Sequence, residues 1–233
     1  METSALACLI NIFVDPKKAL TDISGHTRWL WYPFLIMMLV TTAFGVWYYM
    51  TIDFAWLTEQ ILSTMSAKMD ADKLEQVRHS FTRGRFIFGA VLGGTVFVGL
   101  IYVIQALYLF LISKVAGYEV QDFGKWFSFT AWVSLPGVLA PIAQSISYLF
   151  APNKQVSLYQ LDVTSLNTLF FHLPMHSHWF TTIYSLRLTL FWTLGLMVYG
   201  FSIWTKKSLS KSAVVVLAPY VIIYGLIVAI KLA

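Results

Sequence analysis

Five blocks of apolar residues, each about the length of a membrane-crossing helix, divide this chain. An α-helix needs about 20 consecutive apolar residues to traverse about 30 Å of hydrocarbon. Five such blocks leave room in 233 residues for connectors and little else. Hydrophobic residues make up 58% of the chain and charged residues 12%, which excludes an ordinary soluble domain. The expected fold is all-α: one polytopic membrane domain over 1–233, with five transmembrane helices and interfacial amphipathic helices. The formal charge of +5 sits at segment ends, where membrane topology requires it, and forms no basic stripe with exposed aromatics. The partner it implies is the lipid bilayer and not nucleic acid. Trp29, Trp31, Trp126, Trp179 and Trp204 fall at block edges, as an aromatic belt would. Cys8 is the one cysteine, so no disulfide forms within the chain.

Residues 1–28 read as two interfacial helices. Leu6, Leu9, Ile10 and Phe13 recur at the spacing of one helical face, and Asp15 followed by Pro16 reads as the N-cap and first position of a second helix. The apolar run from Ala5 to Val14 is short, follows Glu2 where a basic region would stand, and leads to no small-residue cleavage site. It is therefore not read as a signal peptide. The first crossing is expected over 30–52, with Pro33 near its start. In the connector at 53–85, Phe54, Leu57, Ile61 and Met65 keep helical spacing, and Leu74, Val77 and Phe81 resume it past Asp70 and Asp72. Two amphipathic helices with an acidic cap between them are expected there. The second crossing, 86–113, carries Gly89 and Gly93 at a small-xxx-small spacing that predicts close helix approach, within the chain or in a homo-oligomer. The third, 126–150, contains Pro136 and Pro141, each of which removes a backbone donor, so a kink or break near mid-membrane is expected. Such breaks serve either packing or a binding site. A connector at 151–178 leads to the fourth crossing, 179–204, and Lys206, Lys207 and Lys211 precede the fifth, 213–231.

Five crossings place the termini on opposite sides. With the N-terminus cytoplasmic, that side holds eight basic residues, Lys17, Lys18, Arg28, Lys114, Lys125, Lys206, Lys207 and Lys211, against seven on the other. The short loops favour this orientation, which puts the C-terminus outside.

Arg187 is the one charge inside a block, about two turns into the expected fourth crossing. A buried arginine in a membrane must pair, face water or snorkel, so it is a candidate for function or for anchoring the connector. Asp162 is its nearest acidic partner by sequence. His172 and His176 are spaced i, i+4, but Pro174 interrupts them and no Glu or Cys lies nearby, so no metal site is assigned. There is no phosphate loop, nucleophile elbow, zincin signature or paired intramembrane carboxylate. No catalytic residue and no cofactor is assigned; the candidate residues are Arg187, Asp162, Pro136, Pro141, Gly89 and Gly93.

Several segments resemble the Yip1-domain family in its bacterial branch. They are Asp15-Pro16-Lys17-Lys18-Ala19-Leu20, then Trp29 through Pro33, Trp132-Val133-Ser134-Leu135-Pro136, Ser165-Leu166-Asn167-Thr168-Leu169, and Phe191-Trp192 with Gly195 and Gly200. The resemblance implies a five-helix protein of the bacterial inner membrane, N-terminus cytoplasmic and C-terminus exported. It also implies a non-enzymatic role as scaffold or accessory subunit in membrane or envelope transport, with membrane-protein partners or a homo-oligomer. The chain lacks the Asp-Leu-Tyr-Gly-Pro segment of eukaryotic relatives, so their GTPase binding is not carried over. Arg187 stands where bacterial relatives often have an acidic or amide residue, so a role built on that position is not carried over either. The alternative is a transporter or channel for a small molecule or lipid, using the proline-broken third helix and Arg187.

Overall fold

Several helix starts in this chain are set by identifiable caps. The computed structural model describes residues 4–65, 69–120 and 122–233, except the side chain of residue 27. Residues 1–3, 66–68 and 121, parts of the expected interfacial pair, first connector and short loop, lie outside the described residues. Ser4 Oγ accepts from the Ala7 amide to open α1 (Ala5–Val14), and the Asp15 carboxylate accepts from the Lys18 amide to open α2 (Pro16–Ile23). A 3₁₀ turn, Thr27–Leu30, runs into α3 (Trp31–Thr51). The first connector holds α4 (Phe54–Met65) and α5 (Ala71–Ser80). The next long helix is α6 (Arg83–Leu92), a π turn over Gly93–Phe97, and α7 (Val98–Val115). Then come α8 (Phe123–Val133), a 3₁₀ turn over Leu135–Val138, and α9 (Leu139–Leu149). The second connector carries α10 (Leu158–Leu161), a π turn over Asn167–Phe171 and α11 (Phe180–Ser185); α12 (Leu188–Thr205) and α13 (Leu209–Leu232) follow. Among the described residues there is no strand, and one isolated antiparallel bridge joins Ser165 to Arg187.

Four stretches are long and apolar enough to cross a membrane: Arg28–Thr51, Arg83–Val115, Leu188–Thr205 and Leu209–Leu232. The α8–α9 pair qualifies as a whole but is bent by 41° at the break. The fourth long helix starts at Leu188, not at Trp179, because Leu186 leaves the helix for extended backbone. The chain is an all-α polytopic membrane protein. Its lipid-facing surface is plain in α13, which leaves Val214, Val221, Ile222, Leu226 and Ile230 exposed.

Contacts divide the chain into two compact units. The first comprises residues up to Met38, Phe97–Val138 and Leu188–Ala233. Its core is aromatic: Trp126 stacks on Phe201 at 5.4 Å, and Phe129 lies 4.9 Å from Trp204. Gly200 makes this possible, since a Cβ there would stand 2.6 Å from Phe129 and 3.0 Å from Leu20. Ala19, Leu20 and Ile23 of α2 are fully buried, and the Trp204 indole donates to the Leu20 carbonyl at 2.8 Å. In α1, Cys8 and Ile12 face inward while Leu6, Ile10 and Val14 stay exposed. Near the start of α3, α8 packs against the Thr27–Leu30 turn, and Phe34 meets Phe127 at 6.1 Å.

The second unit comprises Leu39–Val96 and Leu139–Arg187. Phe44, Tyr48, Ile52, Leu57, Tyr148 and Leu161 form its core. The ends of α3 and α9 are tied together here. Thr51 Oγ1 is 2.9 Å from the Tyr148 hydroxyl, Tyr48 donates to the Val156 carbonyl, and the Asp53 amide donates to the Lys154 carbonyl. Arg83 reaches the last turn of α3, donating to the carbonyls of Tyr49 and Met50 at 2.7 Å each and of Ile52 at 3.3 Å. A guanidinium there satisfies orphan carbonyls and opposes the helix dipole. The expected acidic cap differs in detail: Asp70 stands at the N-cap of α5 without a capping hydrogen bond and pairs with Lys73 instead. An Arg78–Glu59 ion pair links α5 to α4.

Pro219 lies inside α13 and offers no amide to the carbonyl of Val215, four residues earlier. In hydrocarbon that carbonyl needs a donor from elsewhere, and the Tyr108 hydroxyl of α7 supplies it at 2.7 Å. Tyr108→Phe is therefore expected to lower stability in detergent by about 1 kcal/mol, the scale of one hydrogen bond. In a Pro219→Ala background, where the helix makes its own bond, the loss should largely vanish. Thermal melts of the four proteins check this.

Candidate functional site

The second connector is a hydrogen-bonded structure, and it positions the one arginine of interest. Ser157 and Gln160 form a reciprocal capping box that starts α10, and Asp162 ends it. Asp162 is fully buried; its Oδ1 accepts from the amide and the hydroxyl of Thr164, at 3.1 and 2.6 Å. Ser165 Oγ donates to the Tyr184 carbonyl, and the Leu166 amide donates to the Leu186 carbonyl at 2.8 Å. These bonds draw Leu186 and Arg187 out of helical geometry and lay them beside Ser165. Arg187 thus sits in the break before α12, not two turns inside a crossing.

The result is a close ion pair. Arg187 Nε stands 2.7 Å from Asp162 Oδ2, a charge contact whose angle is too poor for a hydrogen bond. Arg187 Nη2 donates to the Tyr184 hydroxyl at 3.3 Å, with the guanidinium 5.2 Å from the ring centre. Nη1 has no hydrogen-bond partner among the described residues. Burial works against the arginine's charge, but the Asp162 carboxylate and the Tyr184 hydroxyl together outweigh it, and Arg187 is held above its ordinary range. Burial, with Asp162 beside it, pushes the Tyr184 hydroxyl up to about 12, so it stays neutral.

Arg187 and Tyr184 form part of the wall of a cavity of about 600 Å³ within the second unit. Phe44, Tyr49, Leu57, Phe86 and Tyr159 supply apolar surface, and Gln60 and Gln144 supply amides. Pro136, in the turn between α8 and α9, and Pro141, in the first turn of α9, are buried and do not line it. Gly93 lines the cavity and Gly89 a shallower groove, and a Cβ at either would meet nothing within 4 Å. Within the chain, close approach falls at Gly94, against Thr42, and at Gly45, against Ala90. His172, His176 and His178 are exposed, and no group of three His, Cys, Asp or Glu side chains converges among the described residues.

Tyr184, Gln60 and Gln144 escaped the sequence reading. Tyr184 alone carried a signal, three residues before Arg187; the glutamines come from distant helices. Arg83, which the sequence reading did not single out, caps the end of α3.

The Yip1 domain family model matches residues 10–230 of the chain. No curated protein and no solved structure matches it significantly.

The ion pair is asymmetric, with Asp162 fully buried and the Arg187 side chain 38% exposed. Arg187→Leu strands a buried carboxylate and should cost about 3–5 kcal/mol. Asp162→Asn leaves an arginine able to reach water and should cost about 1–3 kcal/mol. A double-mutant cycle by thermal unfolding should find the pair of changes cheaper than their sum.

Proposed function

Because the chain belongs to the Yip1 domain family, we propose that it is a non-enzymatic membrane protein acting as scaffold or accessory subunit in transport or organisation of the bacterial inner membrane. The observation that carries this reading is where the polar side chains of its connectors are spent. Asp162 and Arg187 tie the second connector to the start of α12, Arg83 closes α3, and the Gln155 amide donates to Asp53. α13 in turn offers a broad apolar helix surface. Membrane partners bind such surface through close packing and occasional hydrogen bonds.

In this reading the α8–α9 pair is also a crossing, the third in chain order, which makes five. Its first half keeps company with the start of α3, and its last residues are hydrogen-bonded to the end of α3. The N-terminus is then cytoplasmic and the C-terminus exported, with both long connectors on the exported side. Affinity purification from native membranes in mild detergent tests the role: one or more membrane proteins should co-purify at constant stoichiometry. Recovery of the protein alone would oppose it. The orientation is checked separately. In a Cys8→Ser background, Asn153→Cys should react with an impermeant maleimide on intact cells, and Lys207→Cys should react only after permeabilisation.

A further inference from the structure

The cavity in the second unit has a chemistry that the accessory role leaves unused. Its volume of about 600 Å³ falls within the range of small-molecule sites, roughly 300–1,000 Å³. Most of its wall is aromatic or aliphatic, including Phe44, Leu57, Phe86 and Met175, and among the described residues Arg187 is the one charged residue lining it. Such a site suits a long apolar body with a single anionic head.

Arg187 is built to hold that head. A guanidinium has five N–H donors in a rigid fork, enough for several acceptors at once. Fully buried Asp162, itself fixed by two bonds from Thr164, faces the Nε edge, and Tyr184 accepts from Nη2. That leaves Nη1, and the second hydrogen of Nη2, for an oxyanion. We propose that the cavity binds one acyl chain of an anionic membrane lipid, whose carboxylate or phosphate oxygens accept hydrogen bonds from Arg187. The lipid is favoured over a free anion because a free anion would leave the apolar wall uncovered.

Gly93 offers a clean test. It lines the cavity, and a side chain there would grow into open space without meeting an atom within 4 Å of its Cβ. Gly93→Leu should therefore fill the cavity while leaving the helix intact. The purified protein in dodecyl maltoside is titrated with palmitate, palmitoyl lysophosphatidate, uncharged monopalmitoylglycerol and inorganic phosphate, with binding read by native mass spectrometry. The two anionic lipids should bind one to one and about tenfold or more tighter than monopalmitoylglycerol, the scale of a charged hydrogen bond. Gly93→Leu should weaken all three lipids by about tenfold or more at an unchanged Tm. The double variant Asp162→Asn/Arg187→Gln, which removes both charges together, should bind charged and uncharged lipids alike. Equal affinity of the wild-type protein for charged and uncharged lipids overturns the proposal. So does a stably folded Gly93→Leu protein that binds as the wild type does. Phosphate that displaces the lipids at equal concentration would make this a small-anion site and overturn it too.

Discussion

A carbonyl without a donor is tolerable in water and costly in hydrocarbon, and much of this structure follows from that difference. At several helix ends and breaks, a side chain from elsewhere comes to the exposed backbone. Arg83 serves the last turn of α3, Tyr108 serves the carbonyl opposite Pro219, Trp204 serves Leu20, and Tyr48 serves Val156. Each bond also joins segments far apart in sequence. Tyrosine and tryptophan suit the task because their apolar bodies rest in the core while one polar atom reaches out. The abundance of aromatics is thus only partly a matter of membrane belts.

The second connector follows the same rule with a different outcome. Its backbone is satisfied locally, by the Ser157–Gln160 box, the Asp162–Thr164 turn and the single bridge between Ser165 and Arg187. These bonds fix the chain just before α12 and bring an arginine to a fully buried carboxylate. An ion pair so placed contributes little net stability compared with apolar packing. What it does is positional: it holds a cation at the wall of a cavity whose other described lining residues are uncharged and mostly apolar.

Much of the fold was legible because membrane helices advertise themselves by length and composition. The Asp15–Pro16 start of α2 was legible too, since a cap and a first-turn proline are local signals. The start of α12 was not. Phe180–Ser185 is itself helical, and it is the bonds from Ser165 and Leu166, some 20 residues away, that accompany its end at Leu186 and separate it from α12. The close contact of the glycine stripe within the chain is shifted by one residue for a related reason. The helix through Gly93–Phe97 is π-wound, and it is Gly94, not Gly89 or Gly93, that lies against a neighbour. Gly93 is left facing a void. The cavity itself could not be read from sequence, because its walls come from seven separate stretches of chain that no local pattern connects.

The hydrogen bond from Trp204 to Leu20 spans 184 residues. At synthesis rates of about 5–20 residues per second, α2 waits roughly 10–40 s between leaving the ribosome and meeting its partner. During that interval its apolar face has to rest somewhere other than its final seat. The membrane surface is the natural place, and a capped, amphipathic pair of helices with Leu6, Ile10 and Val14 turned outward is suited to it. The N-terminal helices therefore carry a demand of biogenesis as well as of the finished structure: they must be stable alone at an interface, yet bind it weakly enough to leave when α12 arrives.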